Sequence, residues 1–361
     1  MSVASNTRPL LSLKQVSKNF GRANWLRSLM PAAVPKSRRI VHAVSDVTLA
    51  VNPGEAVGIV GESGCGKSTL GRIAARLLVP DAGDVELHGT PMAQLRGPAA
   101  KEARRHVQMI FQSPIASLNP RQRVGQILEE ALKVHTGLSV RERREQVLAL
   151  LGQVGLPAQM AERYPRQLSG GQAQRVGIAR ALTVEPRLIV CDEPVSALDV
   201  SVQAQILNLF QDLRESLGLS YMFISHDLSV VERVSDRVAV MYLGEVVEEA
   251  PAAELFARPG HPYTMALLEA APALGKARIA AEPVRGERPS PYDRPQGCSF
   301  HPRCKFAMDI CRRSAPPRAG LSTGHFAACH LHTGAPGQSN PVERPIAIQG
   351  HPHGSPDATR E

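Results

Sequence analysis

The sequence predicts an α/β fold built around a phosphate-binding loop, with a helical subdomain inserted into it. Three observations predict it. Gly61 to Thr69 reads Gly-Glu-Ser-Gly-Cys-Gly-Lys-Ser-Thr and matches the P-loop pattern G-x-x-x-x-G-K-[ST]. The apolar run Ala56–Val60 before it reads as a buried strand, and Leu70 to Leu78 after it as a helix, which is the context the pattern needs. A second apolar strand, Leu188 to Cys191, ends in Asp192 and Glu193 after a helical stretch longer than a compact P-loop domain requires.

In such a loop the backbone N–H groups and the helix N-terminus point at phosphate, and the helix dipole favours its charge. Gly61, Glu62, Ser63, Gly64, Cys65, Gly66, Lys67, Ser68 and Thr69 are therefore the expected nucleotide-binding stretch. Lys67 is placed to reach the β- and γ-phosphates, and the Ser68 hydroxyl to ligate Mg²⁺.

The elements follow in order. Residues 10 to 20 contain alternating apolar positions and read as an edge strand. Gly21 to Arg39, with Pro31, Pro35 and scattered basic residues, reads as a loop insertion. Val41 to Val51 is a strand, Asn52-Pro53-Gly54 a turn, Val85–Leu87 a short strand and Val107 to Phe111 another. From Val124 to about Leu156 apolar residues recur at helical spacing, and Gly170 to Leu182 continues the helical block. Gln203 to Leu217 reads as a helix and Tyr221 to Ile224 as a buried strand, followed by His226.

The acids after Leu188–Cys191 have the Walker B form. Asp192 is expected to hold Mg²⁺ through its water shell, and Glu193 to polarise an attacking water. His226 ends a strand of the same sheet, on the side where α/β sheets bind ligands.

Composition sets bounds. The chain has 361 residues, enough for about two domains, and its 43% hydrophobic and 21% charged content is that of a globular protein. No run of 18 apolar residues is present, and Met1 to Pro9 lacks the order of a secretory signal, so a cytoplasmic protein with any membrane role through partners is expected. The net charge of +9 fits nucleic acid, an anionic membrane surface or neither, and at 4% aromatics a nucleic-acid stacking platform is not expected.

Leu168-Ser169-Gly170-Gly171-Gln172, between the P-loop and the Walker B strand, resembles the signature of ABC-transporter nucleotide-binding subunits. Gln112 matches the Q-loop of that family, Ser196-Ala197-Leu198-Asp199 its D-loop and His226 its switch histidine, while Phe20 lies where an aromatic usually stacks on adenine. Ser117-Leu-Asn-Pro-Arg121, Pro194 to Gln203 and His261-Pro262-Tyr263 are similar to the ATPase subunits of oligopeptide and dipeptide importers. The chain departs from the pattern at Ala173, where a basic residue is usual, and at Phe20, which keeps a stacking face but lacks the hydroxyl of the usual tyrosine.

The resemblance implies a RecA-like P-loop core of ABC-ATPase type with helical and antiparallel β subdomains. It divides the chain into a core at 1–111 and 183–254, a helical signature subdomain at 112–182 and an extension at 255–332, and the Gly, Pro and Ser content of 333–361 reads as a disordered tail. It implies a head-to-tail dimer, with itself or a homologous second ATPase, in which Ser169, Gly170, Gly171 and Gln172 contact the partner's ATP and Asp199 couples the sites. Gln112, Ser68 and Asp192 serve Mg²⁺; Lys67, Gln112, Glu193 and His226 form the catalytic set. It further implies two membrane permeases, an extracytoplasmic solute-binding protein, a place on the cytoplasmic side of the membrane, and peptide import. Import of another small solute, such as glutathione or a nickel chelate, and a soluble ABC ATPase acting on nucleic acid or ribosomes are the alternatives. The second usually carries two cassettes, whereas this chain has one P-loop.

Cys298, Cys304, Cys311 and Cys329 are spaced C-x₅-C-x₆-C-x₁₇-C, which matches no zinc ribbon. Four thiolates suit a [4Fe–4S] cluster or tetrahedral zinc, and four unligated thiols are the third reading; the resemblance favours iron. His301, His325 and His330 are nearby alternative ligands, and the expected role is structural because the region is Pro-rich and poor in core residues.

Overall fold

The computed structural model describes residues 8–21, 40–270, 287, 289–290 and 292–333. The predicted loop insertion within 22–39 and the tail beyond Thr333 lie outside the described residues.

Two sheets frame the described residues. The first runs β2-β1-β4-β5 and is antiparallel, from β1 (Leu11–Phe20), β2 (Val41–Val51), β4 (Ala82–Leu87) and β5 (Thr90–Pro91). β1 is an interior strand, with Leu11 opposite both Val51 and Leu87, and not the edge strand expected from its alternation. Alternation reports which face is buried and says nothing of how many neighbours a strand has. Its buried face skips from Leu13 to Val16 because the register shifts there and Gln15 takes a positive φ of 50°, the geometry of a bulge.

The second sheet holds the candidate site. Its parallel part is β9-β3-β8-β7-β6, from β3 (Ala56–Val60), β6 (Val107–Ile110), β7 (Leu188–Asp192), β8 (Ser220–Ile224) and β9 (Arg237–Tyr242). All five residues of β3, β7 and β8 are buried, as continuous apolar runs in a parallel sheet covered on both faces should be. β10 (Glu245–Pro251), β12 (His325–Ala328) and β11 (Arg318–Ser322) continue it antiparallel beyond β9.

Helix α1 spans Lys67–Ala74, shorter than the predicted Leu70 to Leu78. It starts at the loop, where Gly66 is the N-cap with φ 110°, and it stops before Arg76, whose φ is 55°. The predicted helical block is three helices, α3 (Val124–His135), α4 (Val140–Gln153) and α5 (Gly170–Leu182). Ser139 splits the first two. Its side chain accepts from the Glu142 N–H while Glu142 reaches back to the Ser139 N–H, a capping box written in the sequence as Ser-x-x-Glu. Leu128, Leu132, Val147, Leu151 and Val176 close this block into a core continuous with Phe210 of α6 (Val200–Leu217).

The C-terminal extension adds buried aromatics to a core it shares with β9 and β10, contrary to its composition. Tyr263 on α9 (Pro262–Ala270) and Phe300 pack on Tyr242 of β9, with ring centroids 4.6 and 5.3 Å from it. Tyr242 and Tyr263 are fully buried, each large enough to offset a low count of apolar residues.

Candidate active site

Lys67, Ser68, Gln112, Asp192, Glu193 and His226 gather at the carboxyl ends of the parallel strands. The P-loop follows β3, Gln112 follows β6, Glu193 follows β7 and His226 follows β8. Loops at this edge of an open α/β sheet are where ligands bind.

Two glycines let the P-loop close. A Cβ on Gly66 would lie 2.0 Å from the Ala43 carbonyl oxygen, and one on Gly61 2.2 Å from that of Met241. Both contacts are with backbone, and both φ angles are positive, so side chains do not fit. Lys67 is buried and donates from Nζ to the carbonyls of Gly61 at 2.7 Å and Glu62 at 3.0 Å. That arrangement curls the lysine along its own loop.

Ser68 Oγ donates to Asp192 Oδ1 at 2.7 Å. Burial pushes the Asp192 carboxyl above its ordinary range, with the Ser68 bond and the charges of Arg72 and Lys67 opposing. A hydroxyl and a buried carboxylate side by side, the latter penalised for its charge, suit a hard divalent cation. Glu193 sits at φ 47°, unusual for a non-glycine, while its N–H donates to the Ile224 carbonyl. Its Oε2 accepts from Gln112 Nε2 at 2.7 Å, and its Oε1 lies 3.1 Å from His226 Nδ1. Backbone held in a sparsely populated region at a strand end is a mark of functional sites.

Gln112, Glu193 and His226 line a cavity of about 620 Å³ together with Phe20, which is 43% exposed, and the loop from Ser63 to Thr69, while Asp192 lies behind Ser68 and does not line it. Gly61 and Glu62 lie behind it, carrying the lysine. Ser169, Gly170, Gly171, Gln172 and Asp199 do not line it. They stand at the starts of two helices that pack together there. Ser169 caps α5 in a reciprocal capping box with Gln172, Asp199 caps α6 by accepting from the Val202 N–H, and a Cβ on Gly171 would come within 2.5 Å of Val202 Cγ1.

Sequence reasoning missed a link to the extension. Tyr263 Oη accepts from the Glu62 N–H at 2.8 Å, and Arg303 pairs with both Glu62 carboxylate oxygens at 3.0 Å. His-Pro-Tyr was the available signal, read only as a family mark.

The C-terminal cysteines line one small cavity of about 10 Å³ with His301 and His330. Burial raises the Cys298 thiol to about 11 and the Cys329 thiol to about 12, and raises Cys304 as well. All four are free thiols. Among the described residues no group of three or more His, Cys, Asp or Glu side chains is arranged to hold a metal ion, so the iron–sulfur and zinc expectations find no support there. Neutral buried thiols pack as small apolar groups.

Two family models match the chain. ABC transporter matches residues 44–196, and the oligopeptide/dipeptide transporter C-terminal region matches 247–311. The probable peptide ABC transporter ATP-binding protein y4tS of Sinorhizobium fredii is 49% identical over 328 residues, covering 90% of this chain and 91% of that protein. The chain belongs to the ABC transporter ATP-binding family.

The oligopeptide transport ATP-binding protein AppF of Bacillus subtilis is 46% identical over 91% of this chain and 99% of its own length. The dipeptide transport ATP-binding protein DppF of Haemophilus influenzae is 48% identical over 80% and 89%. Among solved structures, the dimeric post-hydrolysis state of the ATP-binding cassette MJ0796 bound to ADP and Pi superposes with a TM-score of 0.58 at 31% identity, covering 67% of this chain and 98% of that one. The fold is that of the ABC ATPases, and the chain is an ATPase of this type. Among the described residues no helix is long and apolar enough to cross a membrane.

Proposed function

We propose that this chain hydrolyses ATP to energise import of di- or oligopeptides, working at the cytoplasmic face of the membrane with two permeases and a solute-binding protein. The observation that carries the catalytic part is the Glu193 carboxylate, bonded to Gln112 and beside His226 at the mouth of the P-loop cavity. The peptide reading is supported by the match of residues 247–311 to the oligopeptide/dipeptide transporter C-terminal region and by the printed roles of the relatives.

In this reading ATP lies with its adenine against Phe20 and its phosphates against the N–H groups of the P-loop and α1. Ser68 and Asp192 would hold Mg²⁺, with Gln112 near it; the ion would neutralise phosphate charge. Lys67 turns toward the γ-phosphate and offsets charge developing there. Glu193 takes a proton from water as the water oxygen bonds to the γ-phosphorus and the bond to ADP oxygen breaks. His226 and Gln112 orient the Glu193 carboxylate beforehand, and His226 then contacts the γ-phosphate. Ser169 to Gln172 and Asp199, outside the chain's own cavity, meet the ATP of a second cassette in a head-to-tail dimer. The dimeric cassette relative supports that arrangement.

The cysteine pocket remains part of the reading inferred from the family. An iron–sulfur cluster there is supported by the convergence of four sulfurs on one cavity and opposed by the absence of a preformed ligand arrangement among the described residues. Iron analysis and visible absorbance of an anaerobic preparation test it; no iron and no absorbance discard it.

Affinity purification of the tagged chain from membranes tests the proposal. Two permeases and a second ATPase should come with it. Ribosomal or nucleic-acid partners without membrane proteins would contradict it.

A further inference from the structure

We propose that Tyr263 and Arg303 of the C-terminal extension are positioning residues for ATP binding, acting on the P-loop through Glu62. The proposal rests on the reading of Gly61 to Thr69 as the ATP site.

Glu62 is held on three sides. Its carbonyl accepts from Lys67 Nζ at 3.0 Å, its N–H donates to Tyr263 Oη at 2.8 Å, and its carboxylate pairs with Arg303. The Arg303 pair is two-pronged, Nη1 to Oε2 and Nη2 to Oε1, each at 3.0 Å. Such a pair fixes direction as well as distance. The Arg303 side chain is 8% exposed and that of Glu62 23%, so solvent screens this pair far less than a surface one.

The extension is built to deliver these two groups. His261 Nδ1 accepts from the Tyr263 N–H at 3.0 Å, as an N-cap does, and Pro262 opens α9. The buried Glu248 carboxylate accepts from the N–H groups of Gly260 and His261 at 2.6 and 2.8 Å, fixing where α9 begins. The Tyr263 ring is locked between Tyr242 and Phe300, which leaves its hydroxyl aimed at the loop. Arg303 ends the short 3₁₀ turn His301–Arg303, bounded by Cys298 and Cys304 of the thiol pocket. His-Pro-Tyr and the turn between two cysteines thus meet on one P-loop residue, whose carbonyl, with that of Gly61, holds the lysine.

Pure docking of the extension predicts a different result from positioning. Docking alone would lower stability when these contacts are lost and leave ATP affinity in the folded protein unchanged. Positioning predicts weaker binding at nearly unchanged fold.

The test measures the Kd of N-methylanthraniloyl-ATP for the full-length chain, with melting temperature measured alongside. Tyr263→Phe keeps the ring and removes the acceptor. Arg303→Gln removes the charge. Each should raise Kd about three- to tenfold, the equivalent of one hydrogen bond or charge-assisted pair. Exchange of the pair, Glu62→Arg with Arg303→Glu, should bind more tightly than either single reversal. A Kd within twofold of wild type for both Tyr263→Phe and Arg303→Gln, with or without a lowered melting temperature, would overturn the proposal. Lys67→Ala separates this from failure of the underlying reading: if wild type and Lys67→Ala bind alike, the P-loop is not the nucleotide site.

Discussion

His226 Nδ1 stands 3.1 Å from Glu193 Oε1, across the gap between the ends of two adjacent parallel strands. Gln112, from the neighbouring strand end, holds the other carboxylate oxygen at 2.7 Å. Three chain segments far apart in sequence thus present one carboxylate to the cavity.

That arrangement makes Glu193→Gln the most informative substitution. It keeps size and removes the base. ATP binding should persist, while steady hydrolysis should fall about a hundredfold or more. A phosphate-release assay checks it, and wild-type turnover would remove Glu193 from the role of base.

Gly66→Ala should abolish nucleotide binding. The added Cβ would lie 2.0 Å from the Ala43 carbonyl oxygen at a positive φ, and backbone has no rotamer by which to yield. Equilibrium binding of a fluorescent ATP analogue reads the loss directly. Gly54→Ala is the comparison: it has a positive φ with no atom within 4 Å of the new Cβ, so it should cost stability and spare binding.

Gly171→Ala should disturb the packing of α5 on α6, because its Cβ would meet Val202 Cγ1 at 2.5 Å. Here the obstacle is a side chain. Val202→Ala in the same protein should restore the melting temperature lost in the single variant. Thermal unfolding of the two proteins decides it, and equal losses in both would show that the contact is not the cause.

Stability of the extension should fall on both sides of neutrality. Burial lowers the His261 pKa to about 4, although the Glu248 charge opposes this, so the stability it confers is complete above about pH 6.5 and is lost as pH falls toward 4. His325 goes the other way. Burial alone would lower it, but bonds to Glu248 and Glu254 raise it above its ordinary value. Its contribution is complete below about pH 6.5 and is lost as pH rises through the raised pKa. Melting temperatures from pH 4 to 9 should fall at both ends, and His325→Gln should flatten the alkaline limb only. An unchanged alkaline limb in that variant would remove His325 as its source.

How much of this was legible in the sequence differs by region. The P-loop, the acids at Asp192 and Glu193, and the strands on which they stand were readable because phosphate chemistry demands fixed residue types at fixed spacing. The extent of α1 was misjudged because Leu77 looks like a core residue yet is 57% exposed. The interior place of β1 was hidden because its partners β2 and β4 are distant in the chain and pairing leaves no local mark. The tie from Tyr263 and Arg303 to Glu62 spans 201 and 241 residues, and only the fold reveals it. The cysteine spacing suggested a metal, while the fold groups the four sulfurs without forming a ligand set among the described residues.

Uptake of a labelled tripeptide by cells, or by vesicles containing the assembled transporter, tests the central claim most directly. Vesicles or cells carrying the wild-type chain should accumulate peptide in an ATP-dependent manner, and those carrying Glu193→Gln should not. Equal uptake with both chains would contradict ATP hydrolysis at this site as the source of energy for import.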